Sequence, residues 1–184
     1  LEKDVDLSGW GYSAPGHQIN HFAALTAHKA ITQKAKDEGL DSYLLLEDDA
    51  RLLFSRFEYI IDKIEEKDEW VDFAKKFHLF YLGFWKGEEN DIENTTIEEN
   101  WKNYKSIVLA QIQQGENIGG LHGIIIRKEV YDFILSCPLN NPLDSQFCQN
   151  RANIQSLRLL PKIIHTKDML SNTEGIVIKR LPLV

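Results

Sequence analysis

Apolar residues recur at three- and four-residue steps between positions 19 and 35, after a glycine- and aromatic-rich stretch at 8–16 that has no periodicity. The repeating positions are Ile19, Phe22, Ala23, Thr26, Ala27, Ala30, Ile31 and Ala35. This spacing predicts an amphipathic helix that follows a loop at 8–16. Gly39 stands where the helix is expected to stop, because glycine readily adopts the left-handed conformation of a helix C-terminus.

The next apolar run, residues 42–46, is short and does not alternate with polar residues. It predicts a strand that is buried on both faces and that ends at Glu47, Asp48 and Asp49. A helix that leads into a buried strand is typical of α/β proteins. We therefore expect an α/β fold in which helices flank a mixed sheet.

The remaining apolar runs predict further elements. Helices are expected over 57–64 and after Arg127, with a further turn at 70–77, and strands over 79–82, 106–111, 123–126 and 157–165. Gly83 is expected to close the strand at 79–82, and a glycine-containing loop is expected to precede 123–126. Residues 86–104 are rich in Glu, Asn, Asp and Thr, so this segment is expected to be the most mobile.

Composition narrows the class of protein. A chain of 184 residues suits one domain, 1–184, with a substantial core. The net charge of -7 and the absence of a basic stripe argue against a nucleic-acid partner. No apolar run approaches the roughly 20 residues of a transmembrane helix. Cys137 and Cys148 are predicted to be free thiols, with one optional disulfide as the alternative.

The most informative residues are the acidic trio Glu47, Asp48 and Asp49. Three adjacent carboxylates at a strand end repel one another and lose part of their hydration. A divalent cation offsets both costs, and the ligand crevice of an open α/β sheet lies beyond the carboxyl ends of its strands. The trio therefore suggests a metal site for Mn²⁺ or Mg²⁺, while an acidic turn that faces water remains the alternative.

Two other stretches carry candidate chemistry. Gly119 and Gly120 permit a ligand to approach the backbone, and His122 enters the core directly after them. His122 is either a ligand-binding or metal-binding imidazole or a structural histidine. Asp144 precedes a short predicted helix, where it is either the helix N-cap or a general base for an acceptor hydroxyl.

Histidines and aromatic residues offer weaker signals. His17, His21 and His28 share one predicted helix, but Gln18 stands where a zinc-protease helix would carry glutamate. Trp85, with Trp101 and Tyr104, brackets the acidic segment, and these rings could stack on a sugar or pack beneath the loop.

In the order of its motifs, the chain resembles glycosyltransferase family 25, the bacterial lipooligosaccharide-type glycosyltransferases related to collagen galactosyltransferases. The matching stretches are 16–21, 44–49, 119–127, 142–144 and 160–172. The resemblance covers about residues 16–173, and its most specific part is Leu44 to Asp49. His17 and Asn20 replace the usual cysteine and serine of the first motif.

The resemblance implies a GT-A-like fold and transfer of a sugar from a nucleotide-diphosphate donor to a saccharide or glycoconjugate acceptor. We expect the fold to lack the family's first β-α unit. The trio would hold the divalent cation, Asp144 would act as the base, and His122 would position a substrate. His21, Gly119, Gly120 and Trp85 would contact substrates.

Two other functions remain open at this point. One is a catalytically inactive relative that binds a sugar or a protein. The other is a magnesium-dependent hydrolase or phosphotransferase, which the lack of a P-loop and of a Gly-x-Ser-x-Gly motif disfavours. A bacterial enzyme of this kind is expected in the cytoplasm at the membrane face, and a secretory lumen is the alternative.

Overall fold

The computed structural model describes residues 15–52, 76–86, 108–116, 118–160, 162–166, 169–170 and 177–178. Within these ranges the chain is a mixed α/β protein whose helices flank a five-stranded sheet. This confirms the predicted class. The predicted helix at 57–64, most of the turn at 70–77, and nearly all of the acidic segment at 86–104 lie outside the described residues.

Helix α1 spans Pro15–Asp37 and ends as the sequence predicts. Gly39 has a φ of 68°, and its N–H bonds to the carbonyl of Lys36. The N–H of Leu40 reaches back to the carbonyl of Ala35 at 3.0 Å. These two bonds form a Schellman motif, which satisfies carbonyls that the helix end would leave unpaired.

The strands are β1 (Ser42–Leu46), β2 (Ala50–Leu52), β3 (Leu79–Lys86), β4 (Val108–Gln111), β5 (Ile118–Arg127), β6 (Ser156–Leu160), β7 (Ile164–Thr166), β8 (Met169–Leu170) and β9 (Val177–Ile178). The main sheet has the order β1-β5-β3-β6-β4, and only its β3–β6 pair is parallel. The carboxyl ends of β1, β3 and β6 therefore lie at the edge of the sheet where β5 and β4 begin. The pairs β2–β7 and β8–β9 are separate two-stranded ladders.

Strand β1 lies at the outer edge of this sheet, and only one of its two faces is buried. The prediction that both faces are buried was therefore wrong. Leu45 is 4% exposed, whereas Leu44 and Leu46 are 44% and 48% exposed. Alternate side chains of a strand point to opposite faces. The apolar run Leu44–Leu46, which does not alternate with polar residues, thus belongs to a strand with only one buried face.

The core is divided between the two faces of the sheet. On the helix side, Leu45, Ile124 and Ile126 belong to a large apolar cluster that includes residues of α1 and of the two short helices. On the other side, Ile163 and Ile164 pack in a smaller cluster with residues of β3 and β6. The sheet is therefore covered by helices on one face and, in part, by β7 on the other.

The second half of the chain follows the predicted order with three differences, one of which is that the strand expected over 157–165 is two strands, β6 and β7, in separate sheets. A 3₁₀ turn at Lys128–Val130 leads into α2 (Tyr131–Ser136), and α3 spans Leu143–Gln149. Strand β3 continues through Gly83, which the sequence placed at its end. Strand β5 already begins at Ile118, so the predicted glycine loop before residue 123 is part of a strand.

Side-chain hydrogen bonds join α1 to α2 and to strand β1. Lys29 Nζ donates to the carbonyls of Leu135 and Cys137, at the C-terminus of α2. Thr32 Oγ1 and Tyr43 Oη are 2.7 Å apart, which joins α1 to β1. Cys137 and Cys148 are not joined in a disulfide, as expected. Within the described ranges, no helix is long and apolar enough to span a membrane.

Candidate functional site

Among the described residues, strands of unequal length leave a notch at one edge of the sheet. Strand β1 ends at Leu46, which pairs with Gly123, whereas β5 extends five residues further toward its start. Strand β3 accompanies this extension, with Trp85 opposite Gly119. The notch therefore has the chain after β1 on one side and the glycine-rich start of β5 on the other.

The acidic trio forms a tight turn beside this notch. The N–H of Ala50 bonds to the carbonyl of Glu47 at 3.0 Å, and β2 starts at once. Glu47 and Asp49 are half-buried, whereas Asp48 is exposed. Because Leu46 pairs with Gly123, Glu47 follows on the side of His122. The turn thus lies where an α/β sheet commonly binds ligands.

His122 is buried in a space that two glycines leave open. A Cβ atom on Gly83 would lie 2.7 Å from His122 Cδ2, and one on Gly120 would lie 2.9 Å from His122 Nδ1. Trp85 lies alongside, with its ring centroid 6.4 Å from that of His122. Gly120, with a φ of 79°, also adopts a backbone conformation that L-residues rarely tolerate. The close approach of His122 and the positive φ are thus enough to explain why a glycine stands at position 120, without any bound ligand.

Asp144 reaches the same glycine pair from α3. Its Oδ2 accepts the N–H of Gly120 at 3.1 Å, and its Oδ1 accepts the N–H of Ser145 at 2.8 Å. A Cβ atom on Gly119 would lie 3.1 Å from Oδ2. Pro142 occupies the N-cap position and Asp144 is the second residue of the helix, so the N-cap interpretation was wrong.

Several predicted site residues thus meet around the Gly119–Gly120 segment. These are Gly119, Gly120, His122, Trp85 and Asp144, with the Glu47–Asp49 turn across the notch. His21 is half-buried on α1, two turns before His28. Among the described residues, no three His, Cys, Asp or Glu side chains form a group that could hold a metal ion.

The chemistry of the acidic turn nevertheless suits a hard cation. Carboxylate oxygens are the ligands that Mg²⁺ and Mn²⁺ prefer, and Mg²⁺ is often bound by one or two carboxylates together with water and substrate phosphate. Glu47 and Asp49, both half-buried on one turn, would be the protein ligands of such a site. Asp48 is the member of the trio that faces solvent.

Three polar residues that the sequence did not single out for this site lie on the helix side of the sheet near Asp144. They are His28 of α1, Tyr81 of β3 and Arg151, which follows α3. All three side chains are buried. The charge of Asp144 raises the pKa of His28 against the larger, lowering effect of burial. Of these three residues, only His28 was named from the sequence, for its spacing on one helix with His17 and His21; no local pattern indicates Tyr81 or Arg151.

No protein-family model matches this chain, and a search of curated proteins found no match to its sequence.

Proposed function

We propose that this chain is the catalytic part of a glycosyltransferase. It would move a sugar from a nucleotide-diphosphate donor to a hydroxyl of a saccharide or glycoconjugate acceptor. The observation that carries the proposal is the notch, which combines an acidic turn with a buried histidine, a glycine-rich strand start, a tryptophan and a carboxylate. The sequence resemblance to glycosyltransferase family 25 points to the same residues.

The leaving group of such a reaction is a nucleoside diphosphate, on which negative charge builds as the sugar departs. A divalent cation at the acidic turn would neutralise this charge. Glu47 and Asp49 would hold the cation. In this proposal the fold is a GT-A-like variant, with β1 as the strand that ends in the acidic motif.

Asp144 would receive the proton of the acceptor hydroxyl. Each of its carboxylate oxygens accepts one backbone N–H, from Gly120 and from Ser145. A carboxylate oxygen has two lone pairs, so each retains capacity for a further hydrogen bond. The backbone bonds hold the group in one orientation, as a positioned general base requires.

His122 and Trp85 would orient the substrates. The imidazole is enclosed by Gly83, Gly120 and Trp85, so its position is determined by packing. Trp85 is half-buried and presents part of an aromatic surface, which suits stacking on a sugar ring.

Isothermal titration of UDP, with and without Mn²⁺, tests the proposal. We expect Mn²⁺-dependent binding to the unaltered protein and at least a tenfold weaker affinity in the double variant Glu47→Gln, Asp49→Asn. Glu38→Gln, at an exposed site beyond α1, is the matched control and should bind as the unaltered protein does.

A panel of UDP-, GDP- and ADP-linked sugars then identifies the donor, read out by release of the nucleotide in the presence of free saccharides. Absence of any metal-dependent nucleotide binding would contradict the proposal. Nucleotide release that is equally fast without any saccharide acceptor would instead indicate a hydrolase. Saccharide binding without any turnover would indicate an inactive binding module.

A further inference from the structure

We propose that Cys148 is a positioning residue for Asp144 in the sugar-transfer reaction. The proposal rests on the glycosyltransferase function above, in which Asp144 receives the proton of the acceptor hydroxyl. Both side chains belong to α3, and both bond to the backbone at the start of β5, residues 118–120. In this role Cys148 holds the start of β5 against α3, so that the carboxylate of Asp144 keeps one orientation toward the acceptor.

Two hydrogen bonds join α3 to alternate residues of β5. Sγ of Cys148 donates to the carbonyl of Ile118 at 3.1 Å, and Oδ2 of Asp144 accepts the N–H of Gly120 at 3.1 Å. Positions 144 and 148 are four residues apart in α3, so their side chains lie on the same face of the helix. That face of α3 therefore lies along the backbone at the start of β5.

Among the described residues, strand β1 does not reach this part of β5. Its pairing with β5 stops where Leu46 meets Gly123, whereas β3 pairs with the start of β5. A buried backbone group without a neighbouring strand needs another partner. Ile118 is 0% exposed, and Cys148 provides a hydrogen bond to its carbonyl. Side chains of α3 thus take the place of a paired strand at residues 118–120.

The thiol of Cys148 is itself held from the other side. Arg151, which is 5% exposed, donates from Nη2 to Sγ of Cys148 at 3.3 Å. The sulfur therefore accepts one hydrogen bond and donates another, and the two bonds together fix its direction. A serine hydroxyl can also accept from a guanidinium and donate to a carbonyl, whereas an aliphatic side chain can do neither.

The fit at Gly119 shows how closely the carboxylate approaches the strand. A Cβ atom added to Gly119 would lie 3.1 Å from Oδ2 of Asp144, so this oxygen is almost against the backbone. If the carbonyl of Ile118 lost its bond to Cys148, the strand start could shift relative to α3 and loosen the bond from Gly120 to Asp144. A displacement of about 1 Å in a catalytic group can cost on the order of a hundredfold in rate.

Steady-state kinetics test the role of the thiol, with the donor that the panel above identifies. Cys148→Ala should lower kcat about tenfold and leave the KM for the acceptor within about twofold, because a loosely held base acts mainly on the chemical step. Cys148→Ser should restore kcat to within about threefold of the unaltered protein. Cys137→Ala is the matched control. It removes the other thiol, which is 3% exposed at the end of α2, and should leave kcat unchanged.

Amide hydrogen exchange at Gly120, followed by nuclear magnetic resonance, measures the positioning without any turnover. Cys148→Ala should speed exchange of this amide about tenfold, because the start of β5 would open more often. Cys148→Ser should restore slow exchange, and Cys137→Ala should not alter it. If Cys148→Ala fails to fold, Cys148→Val takes its place with the same expectations, since valine fills the space of the thiol without its hydrogen bonds.

The outcomes separate this proposal from the function on which it rests. In a protein that transfers sugar, an unchanged kcat in Cys148→Ala would overturn only the role of Cys148. A fall in kcat that Cys137→Ala shares, or that Cys148→Ser does not reverse, would overturn it as well. A protein that releases no nucleotide from any donor would refute the glycosyltransferase function. The exchange rate of Gly120 would then still decide whether Cys148 holds the start of β5.

Discussion

The two halves of β5 differ in strand pairing and in the side chains that pack against them. The second half, Gly123–Arg127, pairs in continuous register with β1, and its Ile124 and Ile126 are fully buried. The first half contains Gly119 and Gly120. The register of pairing with β3 shifts once at the border of the halves, between Gly123 and Gly119, and once between Ile124 and Gly123, at the start of the second half. The two halves of one strand therefore differ in how they are held. Regular pairing with β1 and apolar packing stabilise the second half, whereas the first half places Gly119 and Gly120 against Asp144 and His122, where we propose that substrates bind.

The largest expected effect is a loss of stability in the regular half. Ile124→Ala would leave a cavity in the helix-side cluster, where Ile124 is 0% exposed, and should lower the free energy of unfolding by about 2–5 kcal/mol. Denaturant unfolding measures the change. If Ile124→Ala abolished saccharide binding while costing less than about 1 kcal/mol, the division of β5 would be wrong.

The next largest effect is expected at Gly120, in the first half of β5. Gly120→Ala should cost about 2–3 kcal/mol, because a positive φ is combined with a Cβ 2.9 Å from His122 Nδ1. It should also displace His122 and Trp85, and so change the tryptophan fluorescence. Gly39→Ala is the matched control, since Gly39 has a φ of 68° and no atom within 4 Å of an added Cβ. It should cost only about 1 kcal/mol and leave fluorescence unchanged.

A pH-dependent effect is expected in the polar region beside the first half. Burial lowers the pKa of His28 from its ordinary 6.5, so the folded protein favours the neutral imidazole. The contribution of His28 to stability is therefore complete above pH 6.5. It declines as the pH falls below 6.5, because the unfolded chain then takes up a proton that the folded chain does not.

Unfolding free energies from about pH 7.5 to about pH 5 measure this loss, which should be about 1 kcal/mol and should disappear in His28→Gln. The difference between the two curves isolates His28 from the other titrating groups. Parallel curves for His28→Gln and the unaltered protein would show that the buried imidazole does not couple folding to protonation.

The smallest effect concerns a hydrogen bond over the regular half. Tyr43 pairs with Ile126, and its hydroxyl is 2.7 Å from Thr32 Oγ1. Burial raises the pKa of Tyr43 to about 12, so the phenol stays protonated at ordinary pH. Tyr43→Phe should cost about 0.5–1 kcal/mol and leave saccharide affinity unchanged. A change in that affinity would connect the two halves of β5 more closely than we infer.

Local signals predicted the fold where they were sufficient by themselves. The periodicity of α1 and the stop at Gly39 depend only on nearby residues, and both are confirmed. The burial of β1 depends on which elements pack against its faces and on which strands pair with it. The apolar run Leu44–Leu46 therefore could not reveal an edge strand with one exposed face. The extension of β5 through Gly119 and Gly120 likewise depends on β3, which supplies the pairing partners.

The candidate site was predictable to a similar extent. Glu47, His122 and Asp144 are marked by strand ends, glycines and a proline in the sequence, and the structure brings His122 and Asp144 to the same glycine pair. Tyr81 and Arg151 carry no such mark. Tyr81 lies in an apolar strand run and Arg151 beyond the end of a helix, and only tertiary packing makes them neighbours.

The pairing of β2 with β7 helps to hold the acidic turn in place. Glu47–Ala50 is anchored before the turn by β1 in the main sheet and after it by β2, which pairs with β7 on a separate ladder. The backbone on one side of the turn is thus held by a segment more than a hundred residues downstream, Ile164–Thr166. Shortening the protein ahead of residue 164 would release one of the two anchors and let the turn pivot.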